Sequence, residues 1–557
     1  MVFWRASGSL QQEVFLKSLA VSTLLVFSCG AWAQGTALKP VTLMPGLGNL
    51  HHPVSTTSPE AQQFFDQGLR LVYAFNHEEA ERSFRRAVEL DPNLAMGWWG
   101  IALAVGPNYN MPVDPEHEKT AEYAIEKAKA LDTDAPQVEK DYIDAMARRF
   151  SGAASPDYHQ LDRDYSQAMR ELSHKYPDDL DAATLFADSL MNLRPWKLWN
   201  ADGTPAEGTN EIVATLEGVL RRDPHHMGAM HFYMHAVEAS PHPERALPYA
   251  DEIAALAPAA GHLVHMPAHI YERTGNYDGA RAQNAAAAKA DEDFAAATGS
   301  QGLYMMMYYS HNLHFGAIAA SMQGRCADAK RFADRLADNL RPALKDMPMV
   351  EPFVAMPYVI SVRCEDWESA LAAAEPAAQN VTLKVFWLYS RGIALVARGR
   401  TDEALGLERQ LAAIEKATPH NDLYMPPTEN YTWQIYHIAH DVLAARIAAA
   451  KGDKPRAVAL LRDAVAEQDK FVYDEPPDWY YPVRESLGGM LLETGDMKGA
   501  EQVFRDDLDK NPRNPRSLFG LAETLTREHR DYEASWVRQQ LQSAWQGADI
   551  ELKVPDL

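Results

Sequence analysis

The sequence predicts an all-α chain, a solenoid of helical hairpins stacked side by side. Three observations carry that expectation. The chain is rich in alanine, has few β-branched runs and offers no convincing strand pairs. A turn of the form G-x-x-x-x-A recurs, at Gly275/Ala280, Gly324/Ala329, Gly399/Ala404, Gly452/Ala457 and Gly495/Ala500. The pattern H-x-x-x-H-x-x-E occurs twice, as His231/His235/Glu238 and His265/His269/Glu272, each residue displaced by 34 positions. That is the period of a helix-turn-helix unit, which buries its apolar face only against a neighbouring unit. Length alone suggests about three or four domains; the repeat replaces them with one array.

Residues 1–33 read as an export signal. Arg5 and Lys17 make the n-region basic, a short apolar core runs from Leu19 to Phe27, and Ala31-Trp32-Ala33 places cleavage after Ala33. Lipidation at Cys29 is the weaker alternative, because bulky Phe27 stands two residues before it. The apolar run is short for a membrane span and no other stretch reads as one, so a periplasmic or secreted product is expected. Residues 34–59 are rich in Pro, Gly and Thr and lack helical periodicity, as an extended leader would. Its His51 and His52 are expected to be solvated, unless the arm reaches a groove.

From residue 60 the pattern changes. Gly68, Ala80, Phe84, Ala87 and Pro92 fall at positions 8, 20, 24, 27 and 32 of one unit. Small residues at 8 and 20 let two helices approach closely, the aromatic and the last Ala pack on the next unit, and Pro stops the second helix. This arrangement resembles the tetratricopeptide repeat (TPR). The resemblance implies a right-handed α-solenoid with a concave groove across residues 60–557. It divides into N-terminal repeats (60–225), histidine-rich repeats (226–345) and C-terminal repeats (346–557), with residues 137–215 matching least. Weaker copies of the turn end at Ala246, Ala370 and Ala534. Successive Ala-to-Ala distances from Ala246 to Ala534 are 34, 49, 41, 34, 53, 43 and 34, so several units carry insertions. Long aromatic loops at 106–115, 195–200, 421–431 and 473–481 are expected either on a binding face or over the ends of the stack.

Composition excludes some functions. With 77 acidic against 53 basic residues and a net charge of −24, the chain has no surface suited to tracking phosphates, so nucleic acid is not an expected partner. Cys326 and Cys364 permit one disulfide but no disulfide framework, and the lack of C-x-x-C-H rules out covalent haem. No nucleophile elbow, phosphate loop or dinucleotide fingerprint is present.

The chemistry lies in the histidines, ten of whose 20 fall between His225 and His314. Residues three, four and seven apart share a helix face, so each copy of the motif places two imidazoles and a carboxylate on one stripe. By the TPR resemblance, His231, His235 and Glu238 take positions 5, 9 and 12 of one unit. His262, His265, His269 and Glu272 take positions 2, 5, 9 and 12 of the next, and His311 and His314 take positions 2 and 5 of a third. In that family these positions line the groove. Imidazoles and carboxylates converging there have the composition of a metal site. The expected metal ligands are His231, His235, His262, His265, His269, His311 and His314. Glu238 and Glu272 are expected as further ligands, or as a catalytic general base toward water activated at the metal. Copper, iron and zinc all suit such a set, with one ion or two, and Met234, Met266 and Met305 to Met307 nearby suit copper.

Three readings stay open: a binding or assembly protein with a metal site, as most solenoids are scaffolds; a metalloenzyme, oxidoreductase or hydrolase, with an open metal position in a Tyr-lined pocket; and a metal-free groove for a peptide or small-molecule ligand. Elsewhere, His437 and His440 share a helix face. Adjacent Arg484 and Glu485 read as a carboxylate-orienting pair in the groove or as an ordinary ion pair.

Overall fold

Helical hairpins follow one another from Pro59 to Ala544 in a computed structural model that describes residues 38–153, 156–425 and 429–557. The expected export signal, with Cys29 and Ala33, lies outside the described residues. In order, Pro59–Tyr73 packs with His77–Leu90, Ala95–Val105 with Pro115–Leu131, Gln137–Met146 with Tyr158–Lys175, and Leu180–Met191 with Thr209–Arg222. The histidine-rich units follow: Met227–Glu238 with Leu247–Leu256, the segments Gly261–His265 and Pro267–Arg273 with Tyr277–Thr298, and Ser310–Met322 with Cys326–Leu340. The C-terminal hairpins are Met356–Arg363 with Trp367–Ala372, Val381–Ala397 with Thr401–Ala417, Thr432–Ala450 with Lys454–Gln468, Val483–Thr494 with Met497–Lys510, and Pro515–Arg527 with Asp531–Ala544. Extended pairing among the described residues is confined to isolated bridges such as Asn108 with Met111. The chain is an all-α, TPR-like solenoid.

One local rule builds most of the hairpins. A residue with positive φ ends the first helix, as Gly275 (φ 78°), Gly399 (φ 72°) and Gly495 (φ 83°) do. Where the next residue is Asn or Asp, its side chain caps the second helix. Asn76, Asn276, Asp366, Asp453 and Asp496 each accept a hydrogen bond from the N–H three residues on. The Ala five residues after the turn is buried at every copy, the weak ones at Ala246, Ala370 and Ala534 included. Phe75, Glu365 and His529 hold the left-handed position without being glycine, at φ 53°, 56° and 60°. These turns escaped the glycine pattern because the conformation persists where the residue that favours it does not.

Stacking depends on missing side chains. A Cβ at Gly68 would stand 2.7 Å from the Phe84 ring, and one at Gly100, the equivalent position one unit on, would meet the same ring. Gly316 faces Phe332 in the same way, and Gly488 and Gly520 enclose Phe504.

Two expectations change. The leader is extended, and His51 is exposed as expected while His52 is largely covered, but both are tied to acidic side chains. His51 Nδ1 is 2.8 Å from Asp66 Oδ2, and His52 Nδ1 is 2.8 Å from Asp181 Oδ2, 129 positions away. The arm is held because buried carboxylates on two helices each need a partner. Arg484 and Glu485 do not act as a pair. Arg484 forks onto Asp469 at 2.6 and 2.8 Å, while Glu485 is buried against Arg363. Cys326 and Cys364 are joined in a disulfide with Cα atoms 5.6 Å apart. Among the described residues, no helix is long and apolar enough to cross a membrane.

Glycines in the two environments should respond oppositely. Gly68→Ala overpacks Phe84 and should destabilise the fold by about 1–3 kcal/mol. Gly406→Ala, on a helix with nothing within 4 Å of the new methyl, should stabilise it by about 0.5–1 kcal/mol. Urea midpoints shifting in these opposite directions check the assignment.

Candidate metal centre

The duplicated motif and the units beside it converge. Helix Met227–Glu238 supplies His231, His235 and Glu238, and Gly261–His265 supplies His262 and His265. His269 follows on Pro267–Arg273, because Pro267 removes a helical donor and divides the second copy between two segments. A π turn, Met305–Tyr309, leads into Ser310–Met322 and brings His311 to the group. The sets His231/His235/His262, His265/His269/His311 and His235/Glu238/His269 each place one donor atom per residue within 4.8 Å of the others.

The hydrogen bonds orient the rings. His231 Nδ1 donates to the Tyr73 carbonyl at 2.7 Å. His265 Nδ1 donates to Asn284 Oδ1 at 2.7 Å, and Asn284 is itself fixed by donating from its amide to Ala280 O at 2.8 Å. His235 Nδ1 donates to Glu238 Oε1 at 3.0 Å. With Nδ1 committed in all three, the lone pair of each neutral ring is on Nε2. His231 Nε2 stands 3.0 Å from His262 Nε2, His265 Nε2 stands 2.7 Å from His269 Nε2, and buried His235 Nε2 has no hydrogen-bond partner. An outer acceptor on one ring nitrogen with the other left bare is the arrangement that orients metal-ligating histidines.

Electrostatics separates the rings into two kinds. Burial, followed by mutual repulsion, lowers the pKa of His262, His265 and His311 well below the ordinary histidine value. Burial also lowers His231 and His235, so these rings are neutral. His269 is the exception. Burial opposes its charge, but Glu475 and Glu238 outweigh burial and raise it to about 10. His269 Nδ1 lies 2.7 Å from Glu238 Oε2 and touches Glu475. Burial raises Glu475 to about 7, with His269 opposing.

Two expected residues stand outside the group. His314 turns away and packs edge-on against Phe353 and Tyr480, with centroids at 5.1 and 5.6 Å. Neither of its nitrogens has a hydrogen-bond partner, and burial lowers its pKa to about 3. Glu272 faces a cavity beside the group, and burial raises it to about 8.

Several contributors escaped sequence reasoning. Glu475 sits in an aromatic loop more than 200 positions from His269, where no spacing could single it out. Beneath His231, Tyr73 donates its hydroxyl to Asp181 at 2.7 Å, and Asp181 also holds His52 of the leader. Phe75 was legible, as a bulky residue five positions before Ala80 where other units have glycine. Its ring lies edge-on to His231 at 4.4 Å and stacks on His262 and His235 at 5.3 and 5.8 Å. The left-handed turn projects an aromatic plate over the imidazoles.

His437 and His440 form a separate group. His437 Nδ1 lies 2.7 Å from Glu415, and His440 bridges Glu415 and Glu408 at 2.7 and 3.0 Å. Burial opposes protonation of His440, but the two carboxylates raise it to about 9.

No family model matches the chain, and no curated protein matches it in sequence. Solved structures do. The APC/C hetero-tetramer Cut9-Hcn1 matches at 12% identity over 86% of this chain and 79% of that one, with a TM-score of 0.30. Human IFIT1, as a dimer with m7Gppp-AAAA, matches at 12% identity over 88% and 91%, with a TM-score of 0.31. The TPR domain of P58(IPK) matches at 13% identity over 86% and 99%, with a TM-score of 0.23. Likenesses of this size say nothing of site or partner. The TPR-like assignment rests on the hairpins and turns above, and the scaffold is of the kind that serves binding or assembly.

Phe75→Gly relieves the left-handed strain but removes the plate, and should destabilise the fold by roughly 2 kcal/mol net. Carbethoxylation of His235 and His262, followed by mass spectrometry, should accelerate several-fold. His440, with a folded pKa of about 9 above its unfolded value near 6.5, contributes stability that is full below about pH 6.5 and is lost as pH rises through about 9. His440→Gln should flatten that part of a thermal-stability profile.

Proposed function

We propose that this chain is an exported TPR-like protein that binds a transition metal, copper, iron or zinc, at the histidine and glutamate group, and acts as a binding or assembly protein. One observation carries the reading: three buried imidazoles have Nδ1 anchored and Nε2 turned inward. His235 Nε2 has no hydrogen-bond partner, and the Nε2 atoms of His231 and His265 meet only the nitrogens of other imidazoles. Two nitrogens about 2.0–2.1 Å from one tetrahedral ion stand roughly 3.3–3.4 Å apart, near the 3.0 Å between His231 and His262. The two three-imidazole sets, with Glu238 between His235 and His269, suit two adjacent ions as well as one. The ligand set is His231, His235, His262, His265, His269 and His311, with Glu238 and Glu475 as carboxylate donors. The disulfide between Cys326 and Cys364 suits the oxidising compartment that the leading 33 residues predict.

A specific observation also favours a metalloenzyme. Glu475 touches His269 and lines a cavity of about 710 Å³ whose wall includes Tyr473, Tyr480 and Tyr481. A carboxylate shared between a metal group and a cavity is placed to hold or move a proton of a bound substrate.

Metal content by inductively coupled plasma mass spectrometry, on tag-free protein purified from the periplasm, tests the site. Wild-type protein and His314→Ala should carry stoichiometric metal, and His235→Ala/His269→Ala should carry none. Equal metal in the wild type and the double variant, or background metal in both, would overturn the reading.

A further inference from the structure

The cavity between loops 195–200 and 473–481, which Glu475 shares with the metal group, has further wall chemistry that the metal group does not use. Trp196, Trp199, Tyr473 and Trp479 present aromatic surface to it. The basic side chains at its edge are already engaged. Lys197 pairs with Glu429 at 2.5 Å, and Arg484 and Lys510 share Asp469. Arg273 donates to the Glu238 carbonyl at 3.0 Å and lies over the Tyr473 ring, 5.6 Å from its centroid. Three of the acidic side chains on the wall, Glu272, Asp474 and Asp478, form no ion pair with a basic side chain among the described residues, although Asp478 accepts from the Asn430 amide at 2.8 Å and hydrogen-bonds with Asp474. Two buried polar atoms on the wall lack a hydrogen-bond partner: Glu272 Oε2, an acceptor, and Trp479 Nε1, a donor on a side chain only 2% exposed.

We propose that this cavity binds a small organic cation, an ammonium compound that also carries a hydroxyl or carbonyl oxygen. Aromatic faces attract a desolvated cation through the negative potential above their rings, and that attraction strengthens where water is excluded. Burial holds Glu272 protonated near neutral pH, so the cation displaces that proton, and Glu272 Oε2 then supplies the balancing charge and takes an N–H or the positive end of an alkylammonium. The ligand oxygen accepts the Trp479 indole hydrogen, which otherwise stays unpaired at a cost. An anionic ligand is disfavoured because Lys197, Arg484 and Lys510 are paired with carboxylates and Arg273 is held by the Glu238 and Ser240 carbonyls and the Tyr473 ring. The inference does not need the metal: the groups named here are not among the ligands assigned above.

Choline and its uncharged isostere 3,3-dimethylbutan-1-ol are the probes. They share shape and hydroxyl and differ in the charge at one atom. Titrated into the full mature protein and followed by tryptophan fluorescence and calorimetry, choline should bind one per chain. The isostere should bind at least about tenfold more weakly. Glu272→Gln and Tyr473→Leu should each weaken choline several-fold while leaving the melting temperature and metal content in place. Equal affinity for the two probes, or no choline binding at millimolar concentration, would overturn the proposal. If either variant fails to fold, the comparison of the two probes on wild-type protein still decides. Metal content measured on the same sample keeps a failure here separate from a failure of the metal reading.

Discussion

Burying imidazole is costly unless each ring nitrogen has somewhere to point, and the centre of this molecule is arranged around that constraint. Five of the grouped histidines are almost wholly inaccessible. In three of them, His231, His265 and His235, the outer nitrogen is met by a backbone carbonyl, an asparagine oxygen and a carboxylate in turn, each from a different hairpin. Holding those acceptors in register requires the hairpins to sit at fixed separations, and Gly228, where a Cβ would stand 2.6 Å from the Tyr73 ring, brings two of them together. The stacking of the scaffold and the geometry of the group are therefore one packing problem.

The same constraint explains features that seem remote from the site. The leader follows an irregular path, yet it is pinned where His52 meets Asp181, and Asp181 also receives the Tyr73 hydroxyl. Tyr73 then presents its carbonyl to His231. A segment without secondary structure thus reaches the imidazoles through two side chains. Phe75, the neighbour of that turn, occupies an unfavourable backbone region because its ring is needed over the group.

Much of this was legible in the sequence, for identifiable reasons. The hairpins announced themselves through small residues, turn residues and a 34-residue displacement, which are local signals. The convergence of His231, His235, His262, His265, His269 and His311 followed from helical spacing combined with the repeat. What stayed hidden depended on contacts that no period encodes. Glu475 arrives from an insertion far along the chain. His314 has the same register as His231 and His265, but the third unit is entered through a π turn and its ring faces Phe353 and Tyr480 instead. Glu272 obeys the motif, yet the break at Pro267 and the neighbouring loop leave it facing a cavity. The leader histidines carried no periodic signal, so only a folded structure could show their partners.

The contact between His269 and Glu475, together with the Lys197–Glu429 pair, joins units far apart along the array. A repeat protein in which each unit touches only its neighbours can fray from its ends and lose repeats one at a time. Here one insertion from the C-terminal units reaches the histidine-rich centre and another meets the N-terminal loop at 195–200. Partial opening of either half exposes charged groups of the other. Such contacts work against the gradual, modular melting open to an ordinary solenoid.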